Sequence, residues 1–177
     1  MTTQHIAAAL QRVEAVLQRR PEIALHDDAP ASAHWQGNLR VSTSHANGTA
    51  LATDMPTELG GTGDHITPGW LFRAGVASCA ATSIALAAAA DGIALSLLEV
   101  RVTSRSDVRG LLGMADANGA VVGAGPFDMQ LLVRIAAPDA AAAQLRALVE
   151  RGCSCSPIPN AVTQATPLAL LIEVEAA

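Results

Sequence analysis

Thr67-Pro68-Gly69-Trp70-Leu71-Phe72-Arg73-Ala74-Gly75-Val76-Ala77-Ser78-Cys79, running on through Ala80 to Ala90 and halting at Asp91-Gly92, is the stretch that decides the fold. Thr67 is a good N-cap, and Pro68 stands at the first helical position, where its missing N–H is no loss. Gly92 supplies the left-handed residue with which many helices end. These signals predict a helix from Pro68 to about Ala90. It is apolar on nearly all sides, so it belongs in the middle of a fold. Ser78, Thr82 and Ser83 interrupt it and Arg73 and Asp91 bound it, whereas a membrane span needs roughly 20 strongly apolar residues. A buried core helix is the better reading.

Upstream, Asn38–Thr43 and Thr49–Thr53 flank Asn47-Gly48, a strong hairpin turn signal, and residues 56–67 form a glycine-rich loop. Before these, Ile6, Leu10, Val13, Val16 and Leu17 recur at helical spacing and predict a leading amphipathic helix from Gln4 to Arg20. Pro21 ends that helix, and residues 21–33 read as a linker. Downstream, a strand is expected near Ser96–Ser104. A glycine-rich loop through Gly110–Gly125 follows, then a strand alternating from Phe127 to Ile135. Pro138-Asp139 is expected to open a second helix ending near Arg151. After a loop at Cys153–Asn160, a last strand is expected to present Leu168, Leu170, Ile172 and Val174 on one face. The order β-β-α-β-β-α-β suits an α+β domain over residues 34–177, preceded by an accessory helix and linker over 1–33.

The 177 residues suit one domain with a sizeable core, which Ala, Leu and Val must fill because aromatics make up only 2%. Net charge is −5, and all eleven basic residues are Arg. That balance argues against nucleic-acid or anionic-membrane partners, which would need a basic excess. Residues 1–20 lack the order of a secretory signal, so a cytoplasmic location is expected.

Cys79, Cys153 and Cys155 are too few for a disulfide scaffold. In a reducing compartment they are buried small hydrophobes, metal ligands or reactive thiols. The small neighbours of Cys79, Ala77, Ser78, Ala80 and Ala81, would let a backbone or a substrate come close. Cys153-Ser154-Cys155 lacks the second ligand pair of a structural zinc site, and the five His residues are scattered, so no metal is expected. A disulfide within that step would close a very tight ring. No P-loop, G-x-S-x-G or dinucleotide fingerprint occurs, so no cofactor is expected.

The runs Pro56–Gly61 and Thr67–Cys79, with Cys155–Val162 before the closing segment, resemble the OsmC/Ohr family of osmotically inducible and organic hydroperoxide resistance proteins, from about Trp35 to Val174. The resemblance implies antiparallel sheets curled around the central helix, an intertwined homodimer, and a thiol-dependent peroxidase acting in oxidative stress defence. It assigns Cys79 as the peroxidatic thiol and Cys155 as the resolving one, with Cys153 behind it. An external dithiol, a lipoyl protein or thioredoxin, would then reduce the disulfide. Arg40 is the candidate cation at the sulfur, because a free thiol is mostly protonated at neutral pH. Arg73, six residues before Cys79, falls on the wrong helix face. Two departures stand out. Gly69 occupies the place of a Glu that holds the family's Arg, with Glu58 or Asp64 as substitutes. Ser156, rather than a Cys, directly precedes Pro157. These departures leave two other readings open: a non-catalytic module binding a small hydrophobic ligand, and a one-cysteine peroxidase resolved by external thiol.

Overall fold

The computed structural model describes residues 3–175. Its axis is helix α2, Pro68–Ala90. The Thr67 hydroxyl caps it by accepting from the Trp70 amide at 3.1 Å, and Gly92 beyond its end adopts φ 69°. Val76, Ala80, Ile84 and Ala88, four residues apart, form a buried stripe. Against that stripe lies α4 (Ala142–Ser154), which buries Leu145, Leu148 and Gly152. Gly152 makes the crossing possible: a Cβ there would sit 2.8 Å from the Ile84 Cα. Ala88, Ile93, Leu145 and Leu148 form the core, with Leu95 and Ile135 packed around them.

Two antiparallel sheets complete the α+β fold. Strands β1 (Ser32–Trp35), β2 (Val41–Ser44) and β3 (Ala50–Thr53) form one, in that order. Gly48, at φ 90°, makes the β2–β3 turn that the Asn-Gly pair predicts. Strands β4 (Leu97–Arg105) and β5 (Phe127–Ala136) form the other, and β4 packs on α2. The burial of β4 alternates along its whole length, as period-two patterning requires. Two short helices, α3 (Val108–Leu111) and α5 (Pro157–Thr163), finish the chain's regular structure. By length and composition α2 could cross a bilayer. Helices α1 (Thr3–Arg19), α4 and α5 and strand β4 pack against it and cover part of its surface.

Several expectations change. Strand β1 begins two residues inside the segment read as linker, because Ser32–Trp35 finds a partner in β2. The second helix starts at Ala142, four residues after Pro138, and runs on to Ser154, so Cys153 is helical. The segment read as a loop, Cys153–Asn160, contains the start of α5, where Ser156-Pro157 repeats the Thr67-Pro68 arrangement. Residues 164–175 form no strand and pair with none among the described residues. Leu168, Leu170, Leu171, Ile172 and Val174 consequently stand open to solvent. Helix α2 is covered on its buried stripe, while Trp70, Phe72 and Leu86 remain exposed.

Candidate active site

Helix α5 packs on α2 and brings the turn before it onto Cys79. Ser156, which has no accessible surface, donates its hydroxyl to the Cys79 sulfur at 3.2 Å. The Ile158 amide donates to the same sulfur at 3.4 Å. The turn itself is pinned from outside: the Asn160 side-chain amide donates to the Ser154 and Ser156 carbonyls, both at 2.8 Å. The sulfur therefore accepts two hydrogen bonds, one from a hydroxyl and one from a backbone amide. All three cysteines are free thiols.

Beside this sulfur opens an apolar cleft of about 470 Å³ between the three-stranded sheet and α2. Ala33, Val41, Thr43 and Leu71 line its walls. Gly75, one turn before Cys79, and Ile158 line it as well.

Arg40 belongs to a different cluster. Its guanidinium donates to Asp54 at 3.3 Å, to Thr62 at 2.7 Å and to Asp64. The β2–β3 register that pairs Val41 with Thr53 places Arg40 opposite Asp54, so the hairpin itself builds this ion pair. Asp54 is 2% exposed. The Thr62 hydroxyl, then the Met55 amide, hold its carboxyl down at about 2, with Arg40 contributing after them. Thr62 and His65 hold Asp64 below the usual carboxylate range, and Arg40 adds to the effect. One cation and two carboxylates leave this cluster with net negative charge. Among the described residues no hydrogen bond joins Arg40 to Cys79.

The other sequence candidates fall elsewhere. Arg73 turns toward β4 and donates to Ser104 at 3.4 Å, away from the sulfur as its helical offset requires. Glu58 is exposed in a single 3-10 turn and makes no ion pair among the described residues, so Asp64, the other substitute, is the one that holds Arg40. Cys153 is half-buried, and burial pushes its thiol up. Cys155 is exposed and lines a separate cavity of about 230 Å³ with Leu10, Ser83, Leu86 and Ala90. No group of three metal-ligating side chains occurs among the described residues. Sequence reasoning missed Asp54, Thr62 and Asn160. Asp54 lies across from Arg40 in the observed register, which the Asn47-Gly48 signal alone does not fix.

Comparison with known proteins fits this architecture. The OsmC-like protein of Mycoplasma pneumoniae superposes with a TM-score of 0.65 at 16% identity, covering 79% of this chain and 90% of that one. The organic hydroperoxide resistance protein OsmC of Legionella pneumophila gives 0.55 at 23% identity, over 79% and 92% of the two chains. That of Elizabethkingia anophelis, with thiocyanate bound, gives 0.57 at 19%, over 79% and 91%. No curated protein matches by sequence. The model of the OsmC-like protein family matches residues 61–170, a span that contains α2, the Ser156 turn and the sulfur between them, and the chain belongs to that family.

Proposed function

We propose that the chain is a thiol-dependent peroxidase that reduces organic hydroperoxides at Cys79, in a stress-defence role. The observation that carries this reading is the sulfur itself, which accepts hydrogen bonds from Ser156 and from Ile158, a residue that also lines an apolar cleft. Only a thiolate attacks the O–O bond effectively. Two donors meet the sulfur, and the cleft takes the organic part of the substrate. Attack transfers one oxygen to sulfur: Cys79 becomes a sulfenic acid and the remaining alkoxide takes a proton and leaves as an alcohol. The hydroperoxide resistance proteins of Legionella pneumophila and Elizabethkingia anophelis support the substrate class. Arg40, tied to two carboxylates, brings no net positive charge to the sulfur, so activation falls to the two dipolar donors.

Thiols supplied by a cytoplasmic reductant, a lipoyl protein or thioredoxin, return Cys79 to its starting state. The working form is a homodimer: the exposed face of α2 and the open apolar segment Leu168–Val174 together present more hydrophobic surface than a lone small domain normally leaves in water. Purified protein is expected to consume cumene hydroperoxide in the presence of dihydrolipoamide, and Cys79→Ser to abolish turnover. Unchanged, fully reduced Cys79 after exposure to hydroperoxide rejects the reading.

A second reading, a binding module for a small apolar ligand, is favoured by one observation: the cation expected at the sulfur is neutralised in its own cluster. An apolar molecule retained through purification, together with an unreactive Cys79, would select it.

A further inference from the structure

We infer that Ser156 occupies the place a resolving thiol would need, so that the Cys79 sulfenic acid is reduced by a thiol arriving from outside the chain. The inference rests on the peroxidase reading and concerns its second half-reaction. Condensation to a disulfide requires the second sulfur to reach about 2.05 Å from the first. The group that meets the Cys79 sulfur from the facing turn is the Ser156 hydroxyl at 3.2 Å, and that side chain is fully buried, held by a pinned backbone. A hydroxyl there can hold the sulfur but cannot form a bond to it under reducing conditions.

Neither remaining cysteine is aimed at the site. Cys155, next to Ser156, opens onto the groove where α1, α2 and α4 meet. The α2 residues of that groove, Ser83 to Ala90, lie 4 to 11 positions beyond Cys79, or about 6–16 Å along the helix. Its sulfur lies 3.9 Å from the Ser154 hydroxyl. Cys153 sits two residues earlier, in α4 beside Gly152, which packs on Ile84, and burial pushes its thiol up. Neither sulfur hydrogen-bonds that of Cys79, whose partners among the described residues are Ser156 and Ile158.

The balanced sequence has three steps. Cys79 thiolate and hydroperoxide give the sulfenic acid and an alcohol. An external thiolate then attacks the sulfenic sulfur, forming a mixed disulfide and releasing the oxygen as water after protonation. A second thiol equivalent, from the same dithiol or another monothiol, displaces Cys79 and carries away the disulfide. The apolar cleft that admits the hydroperoxide is the entrance for the thiol.

The test is peptide mapping by mass spectrometry after one equivalent of cumene hydroperoxide, with dimedone or β-mercaptoethanol added. Wild-type protein is expected to yield Cys79 as the dimedone adduct or as a mixed disulfide with β-mercaptoethanol. Ser156→Cys is expected to gain a disulfide between Cys79 and the introduced thiol, and to lose the dimedone adduct by roughly tenfold or more. A disulfide from Cys79 to Cys153 or Cys155 as the main product in wild-type protein overturns the inference while leaving the peroxidase reading standing. Cys79 that stays reduced overturns the peroxidase reading itself, and the inference with it.

Discussion

Ser156→Ala removes one hydroxyl whose side-chain hydrogen bond goes to the Cys79 sulfur, and it leaves the backbone bonds of the turn in place. A hydrogen bond to a charged group contributes about 1.5–3 kcal/mol, and one to a neutral group about 0.5–1.5 kcal/mol. A bond to an anionic sulfur thus exceeds one to a neutral sulfur by about 1–1.5 kcal/mol, roughly a tenfold effect at 1.4 kcal/mol per decade. The Ile158 amide at 3.4 Å remains, so reactivity should fall rather than vanish. The assay is the second-order rate of Cys79 oxidation by cumene hydroperoxide in a Cys153→Ser/Cys155→Ser background, followed by loss of alkylatable thiol. About a tenfold slowing is expected. Stability should change by only about 0.5–1.5 kcal/mol, the worth of one neutral bond. A folded Ser156→Ala protein that reacts within twofold of its parent refutes the argument that this hydroxyl activates the sulfur.

Asp54 is held at about 2 by Thr62 and Met55, below its unfolded value, so it adds stability above roughly pH 4 that is lost as pH falls toward 2. Urea midpoints should therefore drop across that window in wild-type protein and drop less steeply in Asp54→Asn; equal slopes would contradict the assignment. Gly152→Ala gains helix propensity of about 1 kcal/mol but drives a methyl to within 2.8 Å of Ile84 backbone, and net destabilisation of about 1–3 kcal/mol should appear in denaturant titration. An unchanged midpoint would show that α4 can slide on α2. Light scattering should report twice the 18.1 kDa chain mass, and Ile172→Asp, within the open apolar segment, should shift it toward the monomer; a monomer at micromolar concentration in the parent would remove the dimer from the proposal.

Much of the fold was legible because its signals are local. The Thr67-Pro68 cap and Gly92 stop delimit α2 at Pro68–Ala90, the span read from them, and Asn47-Gly48 places the β2–β3 turn. What the sequence hid depends on partners. The alternation of Leu168–Val174 is the pattern of a strand, yet pairing is a property of two segments, and this one pairs with no strand among the described residues. The Cys153–Asn160 run looked like a loop because proline and serine dominate it. The same residues cap and start a helix once Ser156 and Pro157 are taken as its first positions. At the site, chemistry was visible and aim was not: Cys79 stood out by its small neighbours, whereas the direction of Cys155 depends on the phase of α4 at its last turn.

The two departures noted in the sequence, Gly69 and Ser156, make one physical arrangement. With glycine at position 69 the helix start offers no carboxylate to Arg40, and the guanidinium finds Asp54 across the hairpin and Asp64 in the loop that follows β3 instead. A cation so neutralised cannot hold a thiolate at a distance, since two carboxylates at contact outweigh one guanidinium. Stabilisation of the sulfur must then come from neutral donors in contact with it, and those require a turn pressed against α2. Ser156 meets that need better than cysteine would. Its hydroxyl is the stronger donor, and its smaller oxygen lets the turn close fully, as the absence of any exposed surface on Ser156 records. The same close fit that activates the sulfur keeps a partner thiol away from it. Activation by contact and dependence on an external reductant thus follow from a single side chain.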